Sequence, residues 1–233
     1  MPAIPVPSFL NLTLCPSNQI IHSGRVTSFF GRFPEKGHKH LKFKDVPLLY
    51  ENMDQEGADE IQRLDDDIQA IKKAIQHRCP QVNLDQIMPL KERILTMYKG
   101  QVTDSSSLKR IFNTNNGYIR VPFPMMPVEG QDLKKTPPAE VMVKLNFGAR
   151  FFSEDINFGL VILKDIACIF GVATPNIDKN IVFHQQYMDV KYIDEKTGLF
   201  IGEGLAKSGG PSAYGITTIE QLVKSSTPQN IDV

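Results

Sequence analysis

The spacing of apolar residues along the chain predicts a fold built mainly from helices. The clearest case lies between residues 54 and 78, where apolar side chains recur at steps of three and four and form one stripe. Acidic residues crowd the first turns of this segment and basic residues the last, as the helix macrodipole favours. Pro80 then ends the helix. The stripe consists of Ile61, Leu64, Ile68, Ile71 and Ile75.

A different pattern predicts a buried helix in the second half of the chain. Residues 155–170 are apolar almost all round, and Gly171 is placed to end the helix in a left-handed conformation. Cys168 falls within this segment, which predicts a core position for it. Shorter helices are predicted over 85–99, 105–112, 175–188 and 219–224.

The remaining segments predict loops and a small amount of strand. Residues 8–14 alternate weakly and favour a strand, and 191–201 favour a hairpin. Residues 31–47 indicate a loop or short hairpin, and 113–145 are mostly loop because Pro, Gly and Asn interrupt any period. The prediction is a mainly α fold with minor strands, with a linker over 1–7, one helical domain over 8–226 and a tail over 227–233.

Composition narrows the class of partner. The chain has 233 residues, and 26 basic side chains balance 26 acidic ones, so no strong positive field favours a nucleic acid. Three cysteines without a CxxC spacing argue against a disulfide framework or zinc site and favour a reducing compartment. The longest apolar run is too short to span a bilayer, and the N-terminus does not resemble a signal peptide. We expect a cytoplasmic protein without a nucleic-acid or membrane partner.

The candidate chemistry lies in a histidine, an aspartate and an arginine. His22 is the natural acid–base group at neutral pH, and Asp155 could orient it. Arg150 could hold a carboxylate through two parallel hydrogen bonds. Each residue has an ordinary alternative: a structural histidine, a helix cap and a surface or capping arginine. Apolar sequence brackets all three, which favours a shared site near the core.

Other polar residues leave two interpretations open. Asn18 could contact a bound ligand or stabilise a turn, and Arg25 could influence His22 or form a surface ion pair. The pair His38 and His40 has a metal-binding spacing, but neighbouring lysines favour a solvated loop. His184 could line a cleft or face solvent. No GxGxxG, GxxxxGK[ST] or GxSxG motif occurs, so no dinucleotide site of the usual glycine-rich type is predicted.

Five stretches resemble the second domain of the octopine dehydrogenase family: 16–22, 64–73, 150–156, 171–178 and 211–216. They occur in the order the family has. The resemblance implies a helical substrate domain of the 6-phosphogluconate dehydrogenase C-terminal type. It also implies that His22 and Asp155 form the acid–base pair, and that Arg150 holds a substrate carboxylate.

The same resemblance implies a reaction and its cofactor. Opine dehydrogenases condense an amino acid with a 2-oxo acid such as pyruvate and reduce the imine with NADH or NADPH, which a Rossmann domain binds. That domain has no counterpart in this sequence, so we expect no tight dinucleotide binding by this chain alone. Three explanations stay open: a truncated chain, a separate dinucleotide-binding domain as partner, or a non-catalytic binding module or remnant that keeps the helical fold.

Overall fold

Helices account for most of residues 6–227, which are the residues that the computed structural model describes. The predicted linker and tail lie largely outside this range. The helices are α1 Phe9–Leu14, α2 Asn18–Phe30, α3 Gln55–Arg78, α4 Leu90–Met97, α5 Leu108–Thr114, α6 Arg150–Ser153, α7 Val161–Phe170, α8 Pro175–Gln185, α9 Gly202–Ala206 and α10 Ile219–Ser226. The strands are β1 Leu41–Lys42, β2 Met125–Pro127 and β3 Met142–Leu145.

Helix α3 confirms the clearest prediction and organises its neighbours. Its five predicted stripe residues are all fully buried, and the helix packs against α2, α5, α7 and α8. The Asp54 carboxylate caps it by accepting from the Gly57 N–H at 2.8 Å. Two carboxylates of α3 also bind the first N–H groups of other helices: Asp65 that of Leu90 on α4, and Asp67 that of Ile177 on α8. Burial raises the pKa of both carboxyls.

Helix α2 is the central helix, and the sequence pattern did not predict it. All its residues except the first and Phe29 are buried, so it presents no polar face to solvent. A helix covered on every side shows no amphipathic period, which is the signal that predicts helices. Gly24 allows the close crossing with α3: a Cβ there would lie 3.0 Å from side-chain atoms of both Ile61 and Leu64.

The predicted buried helix over 155–170 is present in two parts. A π-helical segment, Ile156–Leu160, leads into α7, and the backbone at Phe158 leaves helical geometry. Gly171 ends α7 at φ +65°, as predicted. The core position predicted for Cys168 is wrong, because its side chain lies on the exposed face of α7.

The predicted strands are also in the wrong places. Residues 8–14 form helix α1, capped by the Ser8 hydroxyl, which accepts from the Leu10 N–H at 3.2 Å. The sheet has the antiparallel order β1-β3-β2. Strand β1 lies in the segment predicted as a loop or short hairpin, and β2 and β3 lie in the segment predicted as mostly loop. The hairpin predicted over 191–201 reduces to one bridge between Ile193 and Phe200.

Several helix limits also differ from the prediction. The predicted 85–99 helix begins only at Leu90, because Pro89 precedes it in an extended conformation. The helix predicted over 105–112 is shifted to α5, where the Ser107 hydroxyl caps it. Helix α8 begins at Pro175 as predicted but ends at Gln185.

We expect Gly159→Ala to destabilise the protein. A Cβ at Gly159 would lie 2.5 Å from Cβ of Gln19, so the π-helical segment and α2 would have to separate. Overpacking of this kind lowers the free energy of unfolding by about 1–3 kcal/mol. Replacing Gly by Ala also reduces the entropy of the unfolded chain, but that stabilises the protein by only roughly 0.4–1 kcal/mol. Urea unfolding should therefore show a lower free energy of unfolding. Gly202→Ala is the matched control, since no atom lies within 4 Å of its Cβ position. Equal stability of the two variants would contradict this packing argument.

The buried His184 predicts a loss of stability in acid. Its Nε2 lies 3.2 Å from the Ser23 carbonyl oxygen, and burial lowers its pKa to about 4. An unfolded histidine takes up a proton below about pH 6.5, whereas the folded one stays neutral until about pH 4. This stabilisation is complete above pH 6.5 and falls by about 3 kcal/mol as the pH drops to 4.

The pH dependence of unfolding in His184→Gln tests that statement. The amide can still donate to the Ser23 carbonyl, but it does not titrate. We expect urea unfolding of this variant to lose less stability than wild type between pH 6.5 and 4. The control is His77→Asn, at an exposed position of α3, which should keep the wild-type slope. The same slope in His184→Gln and wild type would refute the assignment.

Candidate active site

The fold brings His22 and Asp155 together although 133 residues separate them. Nδ1 of His22, on α2, lies 2.8 Å from Oδ2 of Asp155, and both side chains are largely buried. A carboxylate only accepts hydrogen bonds, so Nδ1 carries the proton and Nε2 carries the lone pair. The pair therefore has the arrangement of a general base that a carboxylate orients.

Asp155 is available to His22 because it does not cap a helix. It lies between α6 and the π-helical segment, and its side chain makes no capping hydrogen bond there. Its main-chain N–H instead donates to the Arg150 carbonyl at 3.2 Å. The neighbouring Phe151 stacks flat on the His22 ring, with ring centres 4.0 Å apart and an interplanar angle of 8°. The same short segment thus supplies the carboxylate and covers one face of the imidazole.

Three of the predicted residues line one cleft of about 540 Å³: Asn18, His22 and Arg150. Asn18 and His22 are one turn apart on α2, so their side chains share a face. Arg150 begins α6, and within residues 6–227 no carboxylate lies within ion-pair distance of its guanidinium. The rest of the lining is mostly apolar and includes Ile94, Met97, Tyr98, Tyr118 and Val121. The cleft can therefore accept an anionic group beside a buried acid–base pair.

Tyr50 is a site residue that the sequence analysis missed. Its hydroxyl lies 2.8 Å from Nε2 of His22, and its ring stacks on Tyr118 with centres 4.4 Å apart. Burial raises the pKa of Tyr50, so the phenol is neutral at physiological pH. Tyr50 belongs to an irregular segment before α3, where no period or motif marks a functional residue.

Arg25 holds the segment that carries Tyr50. Its guanidinium donates to the carbonyls of Leu49 and Asn52, at 3.2 and 2.9 Å, and to Asp54 at 3.2 Å. The surface ion pair considered for this residue is wrong, because the side chain is 1% exposed. Burial lowers the pKa of Arg25. Arg25 therefore acts on the site by fixing a loop.

The other candidate residues lie away from the cleft. His184 faces neither cleft nor solvent and is buried against Phe152. His38 packs edge-on against Phe147 and Tyr187, while His40 is exposed. Between residues 6 and 227, no three His, Cys, Asp or Glu side chains are grouped as a metal site would need. Over the same residues, no helix combines the length and apolar character of a membrane crossing.

Solved structures of octopine dehydrogenase have the same fold. A complex with NADH and L-arginine superposes with a TM-score of 0.79 at 24% identity, and covers 95% of this chain and 50% of that one. A complex with NADH and pyruvate gives a TM-score of 0.75 at 23% identity. These likenesses establish the helical fold.

Sequence comparison gives the family. An opine dehydrogenase of Haliotis discus hannai is 31% identical over 196 residues, which is 83% of this chain and 44% of that relative. A tauropine dehydrogenase of Arabella iricolor is 30% identical over 177 residues, which is 76% of this chain and 42% of the relative. The chain thus spans less than half the length of these curated relatives. The profile of the NAD/NADP octopine/nopaline dehydrogenase alpha-helical domain matches residues 5–188. The chain therefore belongs to the octopine/nopaline dehydrogenase family and corresponds to its alpha-helical domain.

Proposed function

We propose that this chain supplies the acid–base and substrate-binding half of an opine dehydrogenase. The reaction would be a reductive condensation of an amino acid with a 2-oxo acid such as pyruvate. The observation that carries the proposal is a His22–Asp155 pair at 2.8 Å in a cleft that also presents the Arg150 guanidinium. The solved octopine dehydrogenases that share the fold were captured with arginine, agmatine or pyruvate.

The residues of the cleft suit the proton transfers of a condensation. The amine attacks the carbonyl carbon, the carbonyl oxygen gains a proton, and water then leaves to give an imine. His22 would move protons at these atoms, and Asp155 would orient its ring and stabilise the imidazolium. Arg150 would hold a substrate carboxylate by paired hydrogen bonds, and the Asn18 amide would contact the same substrate. Fixing both reactants in one cleft lowers the entropic cost of bringing them together.

A dinucleotide does not fit the residues that the structure describes. Between residues 6 and 227 the strands form one antiparallel sheet, without the parallel βαβ unit and glycine-rich turn that bind a pyrophosphate. NADH or NADPH would therefore be carried by a dinucleotide-binding domain, either joined to this chain or separate from it. The rival function is a binding module without catalysis.

We expect the 233-residue chain alone not to bind NADH with micromolar affinity. The physical reason is that residues 6–227 contain no strand–turn–helix that presents free N–H groups to phosphates. Isothermal titration calorimetry with NADH measures this directly. A micromolar dissociation constant would show that the chain holds a dinucleotide site of another kind.

Fusing the chain behind the dinucleotide-binding domain of an opine dehydrogenase tests the reaction itself. NADH oxidation should then require both pyruvate and an amino acid, because the hydride acceptor is the imine formed from the two. His22→Ala should lower kcat by about 10²–10⁴-fold, the usual contribution of a positioned acid–base group. Arg150→Ala removes a charge-assisted contact of about 1.5–3 kcal/mol, so the KM for a carboxylate substrate should rise roughly 10- to 150-fold.

Two controls make the fusion experiment decisive. Arg110→Ala removes an arginine that pairs with Asp104 outside the cleft, and it should leave both KM values unchanged. Circular dichroism checks that each variant is folded. A folded wild-type fusion that oxidises NADH with no combination of 2-oxo acid and amino acid would favour the binding-module alternative.

A further inference from the structure

Both nitrogens of the His22 ring are engaged in hydrogen bonds. Nδ1 is bound to Asp155, and Nε2 lies 2.8 Å from the Tyr50 hydroxyl. Phe151 covers one face of the ring by stacking at 4.0 Å. Only 6% of the His22 side chain is exposed. A substrate atom in the cleft therefore cannot reach the Nε2 lone pair unless Tyr50 moves.

Contacts on several sides hold Tyr50 in place. The residue is 7% exposed, and its ring stacks on that of Tyr118. The Asn113 side-chain amide contacts its carbonyl oxygen at 3.2 Å and that of the next residue at 2.9 Å. Both main-chain polar groups of the preceding residue, Leu49, are hydrogen-bonded. Its N–H donates to the Val121 carbonyl at 2.7 Å, and its carbonyl accepts from the Arg25 side chain. Displacement of Tyr50 would break this set of contacts.

The Tyr50 hydroxyl has the chemistry of a proton relay. Tyr50 lines the cleft together with His22, and a hydroxyl can accept one hydrogen bond while it donates another. Because burial raises the pKa of Tyr50, the phenol keeps a proton throughout and forms no stable phenolate. The group is therefore suited to pass a proton on without itself changing charge.

We propose that Tyr50 is a further catalytic residue, whose hydroxyl carries the proton between Nε2 of His22 and the reacting oxygen or nitrogen of the substrate. The proposal rests on the proposed condensation. The amine of the amino acid first gives up a proton, which reaches Nε2 through the Tyr50 hydroxyl and makes His22 an imidazolium. In the forward step the N–H bond of Nε2 then breaks as its proton joins the Tyr50 oxygen. The original Tyr50 proton moves at the same time to the substrate carbonyl oxygen or imine nitrogen. His22 ends neutral, Tyr50 is unchanged, and the substrate has gained one proton.

The first test uses the 233-residue chain labelled with ¹⁵N-histidine and measures the His22 ring nitrogens by NMR. In wild type Nδ1 should be protonated and Nε2 should show the shift of a hydrogen-bonded acceptor. Tyr50→Phe should move the Nε2 signal downfield and leave Nδ1 protonated, because only the hydroxyl is lost. The matched control is Tyr187→Phe. The hydroxyl lost in this variant lies outside the cleft, where it accepts a hydrogen bond of 2.9 Å from the Gly37 N–H. An Nε2 signal that is the same in Tyr50→Phe and Tyr187→Phe would overturn the proposal.

The second test measures turnover and the number of protons in flight in the fused enzyme described above. Tyr50→Phe should lower kcat by about 10²-fold or more, with little change in the KM for pyruvate. A relay moves two protons together, so a plot of the wild-type kcat against the fraction of D₂O in the solvent should be curved. In Tyr50→Phe that dependence should become linear. If Tyr50 were only structural, its replacement by Phe would not change the shape of this plot.

The outcomes separate the two proposals. An active wild type with undiminished or faster turnover in Tyr50→Phe would show that Tyr50 only covers Nε2 and is displaced by substrate. An inactive, folded wild-type fusion would count against the condensation and hence against any catalytic relay in it. The NMR comparison would then still decide whether Tyr50 binds His22.

Discussion

The complete burial of α2 is the constraint on which the rest of the structure depends. This helix crosses α3 at Gly24 and the π-helical segment at Gly159, in each case at a distance that leaves no room for a Cβ without movement of the neighbour. Close backbone approach on two sides fixes the helix in position and rotation. His22 lies on it between these crossings, and the Asp155 carboxylate precedes the same π-helical segment. The packing of the core consequently also sets the geometry of the His22–Asp155 pair.

Several buried charged side chains in this fold bind main-chain groups. Asp65 and Asp67 hold the starts of two other helices, and Asp165 accepts from the Ser212 N–H at 2.7 Å. Arg25 binds two carbonyls in addition to the Asp54 carboxylate. Such contacts satisfy polar groups that would otherwise be costly to bury, and they fix irregular segments that have no ladder of their own. Arg150 differs, because it is exposed in the cleft without a carboxylate partner among the described residues, 6–227.

The sequence predicted those parts of the structure that repeat locally. The stripe of α3 and the glycine that ends α7 are local signals, and both were identified correctly. His22, Asn18 and Arg150 were expected in one site and do line one cleft, with Asp155 bound to His22. Helix α2 escaped prediction because burial on every side removes the amphipathic period. Tyr50 escaped because its role depends on long-range contacts with Arg25 and Asn113, which no window of neighbouring residues contains.

The way the Tyr50 segment is held has a consequence for its freedom to vary. Arg25 and Asn113 grip the peptide carbonyls of residues 49–53, whereas the side chains of Glu51 and Asn52 remain partly or fully in solvent. Main-chain oxygens are present whatever the amino acid, so mutation at these two positions would keep the contacts from Arg25 and Asn113. It would remove only the side-chain contacts of Asn52 with the Leu48 N–H and of Glu51 with the Arg120 N–H. Substitutions could therefore accumulate at these two positions during divergence while the tyrosine hydroxyl stays at the imidazole.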